Sequence, residues 1–344
     1  MIRAPAARYP AVMSPTLADL PRFALFSEPS PLAPLARLSA ALGDRAEVWI
    51  KREDLLPLAF GGNKLRNLEY LVGAALAEGA DSLVTAGRRW SNHGRLTAAA
   101  GAVAGLEVHL VLSGPPTDPP NPGRRLDELL GAQVHQASTD DRAEREALVA
   151  TVLADLRASG RHPYSIGVGG GGAIGAAGQV RAADELLDQA RARKLAIDTI
   201  VLPSATGGTQ AGLIAGLAAA GGPPIEVVGF AVAHPVEALQ PAIAGILAAL
   251  GDRMGRAFDP RAIVLDGSQR GSGYGRPTDE ALAATRLLAT TEGLLVDPIY
   301  TAKALAGLVA GVRAGRFDDQ RVVFWHAGGL PGLFEPLEDL PIER

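Results

Sequence analysis

The sequence contains no cysteine, which excludes disulfides, thiolate catalysis and cysteine-ligated metal. No apolar run is long enough to span a bilayer, and residues 1–15 lack the apolar region of a secretion signal, so a cytoplasmic location is expected. Aromatic residues make up only 5% of the chain while Gly and Ala abound, a balance that suits closely packed α/β layers. The formal charge of -4 supplies no bulk attraction to nucleic acid or to an anionic membrane. Neither is expected as a partner, and no metal site is expected. At 344 residues the chain suits two globular domains.

Short apolar runs alternate with Ala/Leu-rich stretches of helical period, the pattern of βαβ units. From Lys64, apolar residues recur at Leu65, Leu68, Leu71, Val72, Ala75 and Leu76, and Gly79 can cap that helix. Strands are predicted at 82–86, 106–112, 164–168, 198–202, 225–232 and 321–325. Helices are predicted at 91–104, 140–159, 173–191, 210–220 and 301–314, with a Pro-rich loop at 113–123. Such alternation implies parallel sheets with helices on both faces, because parallel strands need right-handed crossovers. Ligands in such folds bind beyond the carboxyl ends of the strands.

Four loops at such positions carry chemistry. In Ser204-Ala-Thr-Gly-Gly-Thr209 an apolar strand runs straight into a helix, whose free N–H groups and dipole favour an anion. Thr206, Gly207, Gly208 and Thr209 are the candidate phosphate ligands; a Gly-rich turn without ligand is the alternative. The loop lacks the Gly-Lys-Ser/Thr ending of a nucleotide P-loop and the spacing of the dinucleotide fingerprint, which sets aside a Rossmann oxidoreductase. In Gly61-Gly-Asn-Lys64, Lys64 opens a helix, where the dipole disfavours a cation and raises the share of neutral amine needed for Schiff-base chemistry. A solvated lysine is the ordinary occupant of such a position. In Arg88-Arg-Trp-Ser-Asn-His93, Ser91 and Asn92 can cap a helix or hold an anionic oxygen, and His93 can act as a base or simply pack. Tyr274 and Tyr300 follow turn residues, where a tyrosine packs, stacks on an aromatic cofactor or passes a proton.

In series, the stretches IKREDLLPLAFGGNKLRNLEYL, TAGRRWSNHGRLTAAAG, VLPSATGGTQAGLIAGL, GYGRPTDEAL, TEGLLVDPIYTAKALAGL and WHAGGLPGLF resemble the D-cysteine desulfhydrase / 1-aminocyclopropane-1-carboxylate (ACC) deaminase family. That family belongs to the fold type II, tryptophan-synthase-β-like enzymes that use pyridoxal 5'-phosphate. The resemblance covers most of the chain from about Ile50 to Phe334. It implies a fold of two α/β domains, each with a mostly parallel twisted sheet flanked by helices: a large one from residues 1–66 and 168–344 and an inserted one from 67–167. It implies a homodimer acting on a small amino acid. It also implies that Lys64 carries the cofactor as a Schiff base, that residues 206–209 hold the phosphate, and that Asn92 meets the cofactor's phenolic oxygen. Ser91 would meet the substrate carboxylate, with Tyr274 and Tyr300 facing cofactor and substrate. The implied reaction is α,β-elimination to a keto acid and ammonia; ACC ring opening, β-replacement, cysteate sulfo-lyase chemistry and racemisation are alternatives on the same scaffold, and a catalytically silent cofactor-binding protein is the non-enzyme alternative.

Three departures bear on the substrate. Deaminases of the family typically carry Glu where this chain has Thr301, which favours the desulfhydrase-like branch and leaves Thr301 as a candidate partner of the cofactor's ring nitrogen. Ala327 stands in His326-Ala-Gly-Gly329 where desulfhydrase-like members often have Thr. Arg88-Arg89-Trp90 replaces small residues and Gln, so Arg88 or Arg89, with Trp90 and His93 nearby, is expected to border the substrate and to bind a second anionic group on it; a pair of solvated arginines with Trp90 packed between domains is the alternative.

Overall fold

A computed structural model of the protein describes residues 17, 19–114, 120–138 and 141–335. Its strands are β1 (Leu32–Pro34), β2 (Glu47–Arg52), β3 (Ser82–Arg88), β4 (Glu107–Ser113), β5 (Gln133–Ala137), β6 (Pro163–Ile166), β7 (Thr199–Ser204), β8 (Glu226–Ala231), β9 (Val264–Asp266) and β10 (Arg321–His326). Its helices are α1 (Ala36–Ala41), α2 (Lys64–Ala77), α3 (Asn92–Ala104), α4 (Pro122–Leu129), α5 (Arg142–Ala158), α6 (Ala173–Arg193), α7 (Gly208–Ala220), α8 (Val236–Met254), α9 (Asp279–Glu292) and α10 (Thr301–Arg313). The strands form two sheets, one ordered β1-β2-β10-β7-β8-β9 and the other β5-β4-β3-β6. Every pairing is parallel except β1 with β2.

Residues on the central strand β7 are buried on both faces. Ile200 and Leu202 enter one core with Trp325, while Val201, pointing the other way, packs with Phe230 and Phe324. Around the four-stranded sheet, Leu65, Leu68, Leu71, Val72 and Ala75 of α2 join Leu83, Leu96 and Leu110 in a third core. Leu76, expected on the same face, is 39% exposed, because the helix ends one residue later. Gly79 lies just beyond that end at φ 73, its N–H donating to the Leu76 carbonyl.

The expected loop at 113–123 ends in the start of α4, which Pro122 opens; residues 115–119 lie outside the described residues. Val168 belongs to a short 3-10 turn (Val168–Gly170) rather than to β6. No described helix is long and apolar enough to cross a membrane.

Candidate active site

The carboxyl ends of β3, β6, β7, β8 and β10 converge on one cavity of about 370 Å³. Gly87 and Arg88 reach it from β3, Val168 and Gly169 from beyond β6, residues 203–207 from β7, Ala233 and His234 from beyond β8, and Ala327 and Gly328 from beyond β10. A second cleft, of about 440 Å³, lies at the opposite ends of β3 and β6, among Glu78, Arg157 and Tyr164.

Lys64 lines the first cavity as the opening residue of α2. The approach to it is unusual backbone. Leu58, Ala59, Phe60, Gly61 and Gly62 all have positive φ, a left-handed turn closed by the Gly61 N–H donating to the Leu58 carbonyl at 2.9 Å. At Gly61 only glycine fits, since a Cβ would lie 2.1 Å from the Asp54 carbonyl oxygen. Burial lowers the Lys64 amine to about 8, the direction expected from its helix position.

Facing it, β7 runs into α7. Gly207 holds φ 83 at the N-cap, where a Cβ would meet Ile243 at 2.4 Å, and no side chain caps the helix. The N–H groups of this first turn are therefore open to an anion. Thr206, Gly207 and Thr209 line the cavity, and Gly208 sits between them as the first residue of α7 without lining it. The buried Ser204 hydroxyl, also on the wall, has no partner among the described residues. An uncapped helix start and an orphaned hydroxyl facing a lysine amine fit a phosphate-bearing aldehyde.

Ser91 caps α3, its hydroxyl accepting from the Gly94 N–H at 3.1 Å, and it also lines the cavity. Asn92 lines the cavity with its Oδ1 held by Arg95 at 3.1 Å. His93 is buried, and its Nε2 lies 3.0 Å from the Thr85 hydroxyl. That hydroxyl donates to the Ile166 carbonyl at 2.9 Å, so it accepts from His93 and the proton sits on Nε2. Burial and the neighbouring Lys64 amine lower the imidazole to about 3, and its Nδ1 is a buried acceptor with no partner among the described residues.

The Tyr274 and Tyr300 hydroxyls are hydrogen-bonded to one another at the cavity wall. Burial raises both phenols, Tyr300 the further, because Tyr274 and the Asp297 carboxylate add to its shift. Both are neutral proton carriers near neutral pH. The buried Lys303 ammonium fixes the Tyr274 loop by donating to the carbonyls of Arg270 at 2.8 Å and Gly273 at 3.2 Å.

Besides Gly208, three expected ligands stand away from the cavity wall. Thr301 is buried, its hydroxyl bonded to the Asp297 carboxylate and its N–H donating there at 3.0 Å, and it does not itself line the cavity. Asp297 also accepts from the N–H groups of Ile299 at 3.0 Å and Tyr300 at 2.8 Å, which makes the whole start of α10 one closed capping unit. Arg89 lies over the Trp90 ring at 5.0 Å and is pulled toward Glu335. Trp90 packs behind Tyr274, ring centroids 6.1 Å apart, and supports the tyrosine rather than forming the wall. Of the two arginines, Arg88 is the one on the cavity, 5.5 Å above the Tyr274 ring. The sequence reading passed over Arg142, Arg145 and His234, all on the cavity. His234 follows the end of β8, so the strand-end rule was sufficient to find it.

Residues 24–328 match the family model described as pyridoxal-phosphate dependent enzyme. The chain is 41% identical over 325 residues to D-cysteine desulfhydrase of Serratia proteamaculans, covering 92% of this chain and 96% of that one. It is 39% identical over 324 residues to D-cysteine desulfhydrase of Salmonella choleraesuis, covering 92% and 97%. A solved structure described as an ACC deaminase homologue superposes with a TM-score of 0.88 at 34% identity, covering 95% of this chain and 97% of that one.

Proposed function

The chain belongs to the pyridoxal-phosphate dependent enzyme family, and we propose that it eliminates a substituent from Cβ of a small amino acid, releasing a keto acid and ammonia, as its resemblance to D-cysteine desulfhydrases implies. The observation that carries this reading is that Lys64, the open first turn of α7 and the Tyr274–Tyr300 pair share one cavity. Lys64 would hold the cofactor's aldehyde carbon, and Thr206, Gly207 and Thr209 with the N–H groups of α7 would hold its phosphate; Asn92 would face its phenolic oxygen. When bound, the pyridine ring draws electrons from the substrate Cα and makes its proton acidic.

The residues around that centre divide the remaining work. The α3 N-terminus at Ser91 offers N–H groups and a hydroxyl to the substrate carboxylate. Once the substrate amine has taken its place on the cofactor, the freed Lys64 Nζ, at about 8, would be basic enough to take the Cα proton and acidic enough to give it up near neutral pH. The linked hydroxyls of Tyr274 and Tyr300 hold a proton for the group that leaves Cβ.

Ring opening of a cyclopropane amino acid is the second reading, and the wall chemistry weighs against it. Among the described residues none that lines the cavity is Asp or Glu, so none of them offers a carboxylate to a protonated ring nitrogen. The proposal includes a cytoplasmic homodimer, and a large domain (1–66 and 168–344) that closes with an inserted one (67–167) over the substrate. Protein reconstituted with pyridoxal phosphate and given D-cysteine, L-cysteine or ACC, read for sulfide, ammonia and keto acid, tests the reading. Sulfide from a cysteine supports it. Ammonia from ACC alone would move the chain to the second reading.

A further inference from the structure

The cavity is strongly one-signed in a chain whose formal charge is -4. Lys64, Arg88, Arg142 and Arg145 line it, His234 stands beside them, and among the described residues none of the lining ones is acidic. If the reading above holds, Lys64 is committed to the cofactor, the phosphate to the start of α7, and the substrate carboxylate to the start of α3. Arg145 is then a cation on the wall that none of these anions needs.

Arg145 is built in rather than loosely displayed. Its Nη1 donates to the Ser113 hydroxyl at 3.1 Å, and that hydroxyl donates to the Gly87 carbonyl at 3.3 Å. Gly87 abuts Ser91, since a Cβ there would lie 2.6 Å from the Ser91 hydroxyl. The guanidinium is thus tied to the segment that carries both Arg88 and the substrate-carboxylate position. Its Nε is buried without a partner among the described residues, so the guanidinium is held by the packing of the fold while the residue lines the cavity. Arg142, by contrast, is already paired with Glu146 at 2.6 Å and is largely exposed. His234 faces Arg142 and Arg145 from beyond β8, and burial together with these two cations lowers its imidazole, which keeps it a neutral donor.

From this placement we infer that the cavity contains a second-anion subsite, in which Arg145 with Arg88 binds an acidic group on the side chain of the amino-acid substrate, a carboxylate or a sulfonate. Arg145 is a specificity-determining residue. The inference rests on the elimination reading for the identity of the substrate backbone, but the subsite itself is a binding property that does not require turnover.

The test uses the protein loaded with pyridoxal phosphate and unreactive probes without an amino group. Succinate and 3-sulfopropanoate carry a second anion; butanoate replaces it with a methyl. Calorimetry is expected to find both dianions bound at least about tenfold more tightly than butanoate, the difference shrinking to about threefold or less in Arg145→Gln and recovering in part in Arg145→Lys. Thermal unfolding of each variant separates loss of the subsite from loss of the fold. Equal affinity of wild-type protein for the three probes would overturn the inference without any variant. Ammonia release from 3-chloroalanine, which has no acidic side-chain group, reports on elimination separately. Turnover with no discrimination among probes removes the subsite and leaves the function; discrimination without turnover does the reverse.

Discussion

The side-chain amide of Asn63 donates to the Thr209 hydroxyl at 2.8 Å, with both residues buried, so the residue before Lys64 is fastened to the first turn of α7. The same asparagine donates its N–H to the Ala327 carbonyl at 2.9 Å and accepts from the Gln179 side chain at 2.9 Å. One residue therefore sets the spacing between the amine and the anion site, the two ends of the group the cavity is built to hold.

Asn63→Ala removes that link while leaving Lys64 and the α7 N–H groups in place. Affinity for pyridoxal phosphate is expected to fall about tenfold, the worth of roughly one buried hydrogen bond. Titration of the apo-protein followed by absorbance measures it, and an unchanged affinity would show that the amide is dispensable.

The Lys64 amine, lowered to about 8 by burial, fixes the pH dependence of cofactor capture. Below that value the amine is mostly protonated and unreactive, so the capture rate of apo-protein should rise about tenfold per pH unit up to about 8 and level off above it. A lysine at its ordinary value would keep gaining rate to beyond pH 10. Stopped-flow mixing across pH 6–10 distinguishes the two profiles.

His93 acts on stability at the acid side. Its imidazole is lowered to about 3 in the folded state by burial and then by Lys64, against about 6.5 when unfolded. Between these values the unfolded chain binds the extra proton, so stability falls as pH drops from about 6.5 toward 3. In urea denaturation of apo-protein, His93→Gln should show a shallower loss over that window than wild type.

Arg66 is buried between two carboxylates, bonded to Glu53 at 2.6 and 2.7 Å and to Glu185 at 2.9 Å, with the Lys51 ammonium 2.5 Å from Glu185. This network ties α2, two residues past Lys64, to β2 and α6. Arg66→Met leaves Glu53 buried and uncompensated, for an expected loss of about 3–5 kcal/mol. An unfolding free energy within about 1 kcal/mol of wild type would mean that the network relaxes around the gap.

The parallel strands that carry the site were legible because they are buried on both faces and read as unbroken apolar runs, as at Val201 and Leu202. Lys64, Ser91, Asn92, Thr206 and Tyr300 stood out because each follows a strand or turn and opens a helix. Three kinds of information were not. The run Asp297-Pro-Ile-Tyr-Thr301 gave no sign that one carboxylate would close on three successive N–H groups and take Thr301 with it. Adjacent arginines cannot be told apart by type; Arg88 faces the cavity and Arg89 turns to Trp90 because β3 ends between them. Arg145 reaches the site from the second turn of α5, a position that only the packing of α5 on β3 and β4 brings near Gly87. Beyond the site, strands β1, β2, β5 and β9 and helices α1, α4, α8 and α9 were not anticipated either; α8 carries Pro241 in its interior, where proline ordinarily ends a helix.

The central claim is that Lys64 is the residue that holds the cofactor. Wild-type protein and Lys64→Ala, each incubated with pyridoxal phosphate, reduced with borohydride and digested, decide it by peptide mass. The account predicts a pyridoxyl adduct on the peptide containing Lys64 in wild type, accompanied by a visible absorption band that the variant lacks. An adduct on another lysine, or an equal band in the variant, would contradict it.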